Sequence, residues 1–230
     1  MSEFKNTRLG YWWYNQPVVT RNLLLINIVM FIFTLFNQEY MIRTFAMFYP
    51  QSPFFHPWQI LTHMFMHGGF WHIFFNMYTL FIFGLVLERA IGSKKFLVFY
   101  FLTGLGAVAL HTLVQYLEIH GLGGAAEVNA EALARIIYTP TVGASGAIYG
   151  ILIGYAMMYP DSVLTLIFPP ISLKAKWFVI IFAVIELLFG VTGSMDSVAH
   201  FAHLGGMLFG WLIMLWWKKT GRIYERDNWI

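Results

Sequence analysis

Ser145 is the residue whose setting most suggests chemistry, because it stands between glycines in the stretch GASGAIYG. A serine hydroxyl is a weak nucleophile until a neighbouring base accepts its proton, and histidine is the side chain whose pKa suits that task near neutral pH. A candidate base is His203, in the later stretch AHLGGMLFG. A serine and a histidine of this kind would support acyl transfer, in which the hydroxyl attacks a carbonyl carbon.

Acyl transfer also needs hydrogen-bond donors that face the oxygen on which negative charge develops, and loss of one such donor typically lowers the rate by about 10²–10³-fold. His72 and Asn76 lie one helical turn apart in the stretch WHIFFNM, so both side chains can face the same way. Together with the backbone N–H of Ser145 they are candidate donors. Gly143 and Gly146 would leave room for a substrate backbone to approach the hydroxyl.

Each of these residues also has a structural interpretation when it is considered alone. A serine in an apolar helix commonly donates to the carbonyl of its own preceding turn, and an asparagine often links two helices. A single histidine such as His72 or His203 can be a core residue whose nitrogens are satisfied by hydrogen bonds. The residues alone leave both interpretations open, and the coincidence of several polar groups strengthens the case for chemistry.

The composition indicates a membrane protein. Hydrophobic residues make up 59% of the 230 positions and charged residues only 11%, whereas a soluble domain has about 25% charged residues. The absence of cysteine excludes disulfide bonds and thiolate metal sites. The formal charge of +3 comes without a basic groove interleaved with aromatic residues, so we expect no nucleic-acid partner.

Apolar stretches of membrane-spanning length recur along the chain. Each is near the length that crosses about 30 Å of hydrocarbon, and backbone amides in lipid find partners only within a helix. We therefore expect an all-α membrane protein with six transmembrane helices, at roughly 18–36, 60–87, 96–117, 144–159, 177–192 and 198–217. These helices should form a single domain over 1–230, with short cytoplasmic tails at about 1–17 and 218–230.

The placement of lysine and arginine predicts the orientation of these helices. If the N-terminus is cytoplasmic, Arg43 and Arg135 lie outside. The cationic residues that then lie inside are Lys5, Arg8, Arg21, Arg89, Lys94, Lys95, Lys174, Lys176, Lys218, Lys219, Arg222 and Arg226. Both termini are therefore expected in the cytoplasm. Of the two long outer connections, the one around 37–60 should lie in the headgroup region, and the one around 118–140 should be partly helical and face water.

The predicted topology brings the polar residues together. The second, fourth and sixth helices would all begin at the outer surface, and each carries its polar group within the first few turns. Glycines recur every four residues on the fourth and sixth helices, at Gly146, Gly150, Gly154, Gly206 and Gly210. This small-residue spacing lets two helix backbones approach closely. Because His203 shares the glycine stripe of the sixth helix, we expect it to meet Ser145.

Three motifs, in this order, resemble the signatures of the rhomboid family of intramembrane serine proteases. HMFMHGGFWHIFFNM is similar to the family's helix-2 signature with H-x-x-x-N, GASGAIYG to its G-x-S-G motif with a tyrosine four residues on, and AHLGGMLFG to A-H-x-x-G-x-x-x-G. The resemblance covers nearly the whole predicted six-helix core. It implies a rhomboid-like bundle of six transmembrane helices.

The resemblance also implies a role for each candidate residue. Ser145 would be the nucleophile and His203 the general base. His72, Asn76 and the Ser145 amide would form the oxyanion hole. Tyr149 would stack against the ring of His203 and hold it.

Other positions depart from the family or carry no assigned role. The family often has Trp-Arg where this chain has Trp58 and Gln59, so its arginine-anchored loop contacts do not carry over directly. His200, three residues before His203, is expected to be structural or to line the rim of the site. Glu186, near the middle of the fifth helix, is expected to make a protonated interhelical hydrogen bond. Since no carboxylate is expected beside His203, a serine–histidine dyad is implied rather than a triad.

The sequence accordingly predicts an intramembrane serine protease that cleaves a peptide bond in or near the outer part of a substrate's transmembrane segment, without a metal or cofactor. Its partners would be transmembrane protein substrates and the lipid bilayer, in a bacterial-type cytoplasmic (inner) membrane. One alternative is a protein that binds transmembrane helices without cleaving them. A less favoured alternative is a haem or metal membrane protein with His72 and His203 as ligands. The sequence indicates no oligomeric state and no natural substrate.

Overall fold

The computed structural model describes residues 7–121, 129–166, 170–192 and 197–223, and this part of the chain is mostly helical. The helices are α1 (Arg8–Tyr14), α2 (Val18–Phe36), α3 (Gln38–Phe45), α4 (Gln59–Thr62), α5 (Phe70–Thr79), α6 (Leu85–Ile91), α7 (Ser93–Ile119), α8 (Ala130–Tyr138), α9 (Ser145–Met158), α10 (Ala175–Thr192) and α11 (Ser197–Lys219). A short 3-10 helix, His63–Phe65, precedes α5, and a π-helical turn, Leu80–Gly84, joins α5 to α6.

Within the described residues, five helical stretches are long and apolar enough to cross a membrane. They are Val18–Phe36, Phe70–Ile91, Ser93–Ile119, Ala175–Thr192 and Ala199–Lys219. The fourth predicted span corresponds to α9, whose 14 residues form a helix about 21 Å long. This length falls short of the roughly 30 Å of hydrocarbon in a bilayer. The helical membrane bundle is thus confirmed, and the fourth predicted helix lies where expected but is shorter than the hydrocarbon layer is thick.

α9 lies inside the bundle rather than at its surface. It packs against α7, α10 and α11, and most of its residues are buried. A side chain on Gly146 would meet the Cβ of Ala107 at 2.3 Å, and one on Gly150 would meet the Cβ of Thr103 at 2.5 Å. The absence of side chains at these two glycines is therefore what lets α7 and α9 pack so closely.

α9 and α11 are in direct backbone contact at two glycine pairs. A Cβ atom on Gly206 would lie 1.9 Å from the carbonyl oxygen of Gly146, and one on Gly210 would lie 3.0 Å from the Cα of Gly150. These contacts confirm the predicted glycine-mediated packing of the two helices. Gly154 does not take part, because a Cβ there would meet side chains of α6 and α7 instead.

The two long connections meet where α9 begins. Met47 and Thr141 form an isolated antiparallel bridge, with N···O distances of 2.9 and 2.7 Å. The N–H of Gly143 donates to the carbonyl oxygen of His63 at 3.0 Å. The loop that leads into Ser145 is therefore fastened by its backbone to the segments before α4 and α5.

Gln59 organises the first of these connections from within. Its side chain is fully buried, and its Nε2 donates to the carbonyl oxygens of Arg43 and Phe54 at 3.0 and 2.9 Å. Its Oε1 accepts from the N–H of His56 at 3.1 Å. A neutral amide thus holds the loop at the position where the family that this sequence resembles often carries arginine.

A β-hairpin separates α9 from α10 and is missing from the sequence prediction of an all-α chain. Its strands, β1 (Val163–Thr165) and β2 (Ser172–Lys174), pair antiparallel. Strands of three residues give too few alternations to be recognised as a pattern. Asp161, just before β1, contacts Lys176 and Lys174 at 2.8 and 3.0 Å, and these cations hold the pKa of its carboxyl below the usual value.

Glu88 fastens α2 to α6 and α7, far along the chain from the serine loop. Its Oε1 accepts from the N–H of Val19 at 3.0 Å and from the Oγ of Ser93 at 2.6 Å. Its Oε2 accepts from both the N–H and the Oγ1 of Thr20, each at 2.7 Å. The buried carboxylate therefore serves the first amides of α2, which have no partner inside their own helix, and its charge suits the helix N-terminus.

Candidate active site

Ser145 and His203 meet at the interface between α9 and α11. Ser145 is the first residue of α9, and its Oγ lies 2.9 Å from the Nε2 of His203. The contact between Gly146 and Gly206 permits this distance, because no side chain separates the two backbones beside the pair. With Nε2 unprotonated, the hydroxyl donates to the ring. The structure thus brings together the serine and the histidine that the sequence pairs.

Tyr149 lies one turn after Ser145 on α9 and covers one face of the histidine. The rings of Tyr149 and His203 are stacked, with centroids 4.2 Å apart and planes 11° apart. The Tyr149 hydroxyl donates to the Oε1 of Glu186. The tyrosine is therefore fixed at its far end, and its ring restricts rotation of the His203 side chain.

Glu186 of α10 stands beside His203, and the expectation that no carboxylate lies there is wrong. Its Oε2 lies 2.5 Å from the Nδ1 of His200 and 3.1 Å from the Nδ1 of His203. The second contact has ion-pair distance without hydrogen-bond alignment, because the Nδ1 of His203 is buried and has no hydrogen-bond partner. Glu186 is 6% exposed, so its carboxylate acts on the histidines with little screening by water.

The sequence does not predict the carboxylate of Glu186 beside His203, because helical spacing relates only residues of the same helix. Glu186 and His203 are on different helices, and their contact depends on how α10 is rotated against α11. The cost of an ionisable side chain in the middle of an apolar helix was the available signal. The expected interhelical hydrogen bond of Glu186 exists with Tyr149, and His200, expected to be structural or rim-lining, pairs with the same carboxylate.

Gly143 marks a small space between the serine and His72. A Cβ atom placed on Gly143 would lie 3.0 Å from the Nε2 of His72 and 3.4 Å from the Oγ of Ser145. The backbone of Gly143 has φ +133°, a conformation that residues with side chains rarely adopt. Glycine is thus favoured here by its backbone conformation and by the tight space between His72 and Ser145.

Asn76 lies one turn beyond His72 on α5 and is buried. Its Nδ2 donates to the carbonyl oxygen of His72 at 2.8 Å, which leaves the second N–H of the amide available to another acceptor. The structure therefore joins Asn76 to His72, and joins His72 through the Gly143 space to Ser145. It shows no direct contact between the side chains of Asn76 and Ser145 among the described residues.

A cavity of about 40 Å³ lies beside the serine. Its walls include the side chains of Ser145, His203, His63, His111 and Thr141. Such a volume accommodates a water molecule, and the polar atoms of the walls offer it hydrogen bonds. The site thus has room for water next to the hydroxyl although the surrounding bundle is apolar.

Comparison with known proteins identifies the fold around this site. The family model for the Rhomboid domain matches residues 55–219, which include every residue of the site described above. The chain belongs to the rhomboid family.

Several curated rhomboid proteins are similar in sequence. The rhomboid protease AarA of Providencia stuartii is 30% identical over 165 residues, which cover 69% of this chain and 55% of AarA. The mitochondrial presenilin-associated rhomboid-like protein of Bos taurus is 28% identical over 224 residues, covering 92% of this chain and 54% of that protein. The putative rhomboid protease YdcA of Bacillus subtilis is 26% identical over 170 residues, covering 73% and 71%. This rhomboid thus spans about half the length of the first two relatives.

The structure of this rhomboid shows which of the predicted site residues are in contact with one another. Ser145 contacts His203, on whose ring Tyr149 stacks, and the space at Gly143 separates Ser145 from His72. Asn76 is attached to this set through the His72 backbone. One further histidine, His200, and the carboxylate of Glu186 lie on the Nδ1 side of the His203 ring and extend the site toward α10.

Proposed function

We propose that this rhomboid is an intramembrane serine protease, with Ser145 as nucleophile and His203 as general base. The observation that carries the proposal is the 2.9 Å contact between the Ser145 Oγ and the His203 Nε2 inside an apolar bundle. A hydroxyl and an imidazole at this distance form the pair that activates serine in acyl transfer. Relatives named as rhomboid proteases support the same activity.

The reaction would proceed in two halves. The Ser145 Oγ attacks the scissile carbonyl carbon while its proton passes to the His203 Nε2, and the resulting imidazolium gives the proton to the leaving amine. This leaves an acyl ester on Ser145 and releases one part of the substrate. Water then attacks the ester, with His203 accepting a proton from the water and returning it to the serine oxygen.

The oxyanion formed in each half would lie in the space beside Gly143. That space is bounded by the His72 Nε2 and adjoins the Ser145 Oγ, so an oxygen bonded to the attacked carbon can reach it. We assign the oxyanion hole to His72, the Asn76 amide and the backbone N–H of Ser145, a donor at the start of α9. The cavity of about 40 Å³ supplies room for the attacking water.

Tyr149 and Glu186 would keep the base in position. The stacked tyrosine limits the His203 ring to one plane, and the Glu186 carboxylate beside Nδ1 favours the ring when it becomes positively charged. This extends the predicted dyad by a carboxylate on a third helix. Glu186 is a positioning residue in this scheme, since it acts through His203.

The membrane arrangement forms part of the proposal. We infer six membrane-embedded helices in one domain, with both termini cytoplasmic, in a bacterial-type cytoplasmic membrane. The serine would then lie at the outer end of α9, below the outer surface. Substrates would be transmembrane proteins whose segments contain small or helix-weakening residues, because a peptide bond must leave its helix before its carbonyl can reach Ser145.

The deciding experiment incubates purified protein with a model transmembrane substrate. Wild type is expected to cleave it and to react with a fluorophosphonate, whereas Ser145→Ala should do neither and His203→Ala should lose cleavage. His120→Ala, at an exposed histidine outside the site, is the matched control and should behave as wild type. Cleavage by Ser145→Ala at the wild-type rate would reject the protease.

The same experiment separates the two alternatives. A protein that only binds transmembrane helices would retain the substrate in wild type and Ser145→Ala alike, without cleavage by either. Haem ligation by His72 and His203 has less support, because the Nε2 of His203 already contacts Ser145. It predicts visible absorbance from the purified protein and no effect of Ser145→Ala.

A further inference from the structure

Three side chains on α10 and α11 offer donor atoms to a common point. These are the carboxylate of Glu186 and the rings of His200 and His203, whose donor atoms all lie within 4.8 Å of one another. The shortest separations run from the Glu186 Oε2 to the Nδ1 of His200, 2.5 Å, and to the Nδ1 of His203, 3.1 Å. In the acyl-transfer scheme the proton moves through the Nε2 of His203, while the Nδ1 side of the ring faces the Glu186 carboxylate.

The donor types are those that bind zinc. Two imidazole nitrogens and one carboxylate oxygen make a three-ligand set with an open fourth position. Two ligands of a tetrahedral Zn²⁺, each about 2.1 Å from the ion, are roughly 3.4 Å apart. The separations to Glu186 are shorter than this by a few tenths of an ångström for His203 and by about 0.9 Å for His200, so small side-chain rotations would open the site.

The surroundings of the cluster also suit a metal ion. Glu186 is buried, and the Tyr149 hydroxyl donates to its Oε1, which leaves Oε2 to face the histidines. Such an outer hydrogen bond fixes the orientation of a ligating carboxylate. The side chains of His200 and His203 are 17% and 20% exposed although the Nδ1 of His203 is buried, so an ion would enter past the exposed parts of the two rings. Among the described residues, the Nδ1 of His203 makes no hydrogen bond and contacts only the Glu186 carboxylate, so a metal ion would give this nitrogen a bonding partner.

We propose that Glu186, His200 and His203 form a binding site for Zn²⁺ or a similar divalent transition metal, with His203 ligating through Nδ1. Binding would have a chemical effect on the other side of that ring. A neutral imidazole bound to a metal through one nitrogen carries its hydrogen on the other. The Nε2 of His203 would then donate to Ser145 instead of accepting its proton.

The metal is therefore a reversible inhibitor of the site. This consequence rests on the proposed protease function, whereas binding of the ion does not. An occupied site lacks a general base, and an empty one has it. Removal of the ion restores the free Nδ1 and with it the base at Nε2.

The first test measures binding alone, on tag-free protein in detergent that has been stripped with a chelator. Calorimetric titration with Zn²⁺ and absorbance titration with Co²⁺ should both give one ion per chain. Glu186→Gln and His200→Gln should weaken Zn²⁺ binding at least about tenfold. Changes to residues that only support the ligands lower metal affinity by about 10–100-fold, and loss of a ligand costs more. Ser145→Ala and the exposed-site control His120→Gln should bind as wild type does.

Two outcomes of this titration would overturn the site. One is wild-type binding no tighter than that of His200→Gln. The other is equal loss in His120→Gln, which would show binding to surface histidines. In case a variant folds poorly, the thermal midpoint of wild type is measured with and without Zn²⁺, because an ion that binds only the folded protein raises it. An unchanged midpoint at saturating Zn²⁺ would also count against the site.

The second test compares substrate cleavage with and without Zn²⁺, each variant being normalised to its own metal-free rate. Wild type should lose cleavage at the concentration at which Zn²⁺ binds and recover it with chelator. His200→Gln should resist Zn²⁺ in proportion to its weaker binding. Binding without inhibition would overturn the inhibitory role. If neither wild type nor any variant cleaves the substrate, the protease proposal fails, while the binding titration still decides the metal site.

Discussion

The ring of Tyr149 lies flat against the ring of His203, at a centroid distance of 4.2 Å, while its hydroxyl reaches Glu186 on another helix. Two changes separate these contacts. Tyr149→Phe keeps the stack and removes the hydroxyl, whereas Tyr149→Ala removes both. Because an aromatic pair contributes about 0.5–1.5 kcal/mol, we expect Tyr149→Ala to lower kcat about tenfold.

Tyr149→Phe should show a smaller loss of kcat than Tyr149→Ala, and its KM should match that of wild type. Cleavage rates over a range of substrate concentrations separate the two parameters. Equal losses of kcat in the two variants would assign the effect to the hydroxyl and its partner Glu186 rather than to the stacked ring.

The space beside Gly143 predicts a severe effect of the smallest side chain. Gly143→Ala would place a methyl group 3.0 Å from the His72 Nε2 and would force alanine into a positive φ. We expect cleavage to fall by about 100-fold or more, as for loss of an oxyanion donor, and stability to fall by about 1–3 kcal/mol. The matched control is Gly69→Ala, whose added Cβ meets nothing within 4 Å. Wild-type cleavage by Gly143→Ala would contradict the assignment of this space to the oxyanion.

The contact between Gly206 and Gly146 predicts that α11 tolerates no side chain at this point. A Cβ atom on Gly206 would lie 1.9 Å from the Gly146 carbonyl oxygen, so the two helices must separate. Overpacking of this kind costs about 3 kcal/mol, and the same shift would widen the distance from Ser145 to His203. We expect Gly206→Ala to lower both the thermal midpoint and the cleavage rate. Gly68→Ala, whose Cβ would make an ordinary 3.8 Å contact, should change neither.

Substitution of Glu88, which lies outside the proposed site, is expected to lower the stability of the protein. Its carboxylate accepts hydrogen bonds from Val19, Thr20 and Ser93, so Glu88→Ala leaves several buried donors unpaired. Each buried donor left unpaired, here the N–H and the Oγ1 of Thr20, costs about 1–3 kcal/mol. Ser93→Ala removes one bond to the same carboxylate and should cost about 1–2 kcal/mol. Thermal unfolding in detergent measures both, and equal midpoints for Glu88→Ala and wild type would refute the capping role.

The sequence was sufficient for most of the helices and for the meeting of the serine with the histidine. The exception is the second apolar stretch, expected at 60–87, whose spanning helix lies at Phe70–Ile91. Long apolar runs in a chain with few charges leave helices as the only way to satisfy the backbone, so span positions follow from composition. Glycines at four-residue spacing mark which faces of α9 and α11 touch. This spacing predicts His203 near Ser145. The predicted boundaries 144–159 also agree with α9 to within one residue at each end.

What the sequence lacked is the rotation of one helix against another. The Glu186 contact with His203 needs the face that α10 turns toward α11, and a helix as uniformly apolar as α10 carries little pattern from which to read it. The same applies to Gly154, which shares its stripe with Gly146 and Gly150 yet faces a different neighbour. The hairpin formed by β1 and β2 has strands too short for periodicity, and its pairing became visible only in three dimensions.

The length of α9 bears on which substrate segments could reach Ser145. A helix of 14 residues rises about 21 Å and leaves roughly 9 Å of a 30 Å hydrocarbon layer unfilled above or below it. In the proposed orientation, with Ser145 at the outer end of α9, a deficit above that end would place the serine below the outer edge of the hydrocarbon layer. An intact helix with its side chains is about 10–12 Å wide, while an unravelled peptide is far thinner. For the proposed protease, a serine recessed in this way would favour segments that unwind readily, so the short central helix would contribute to the choice of substrate.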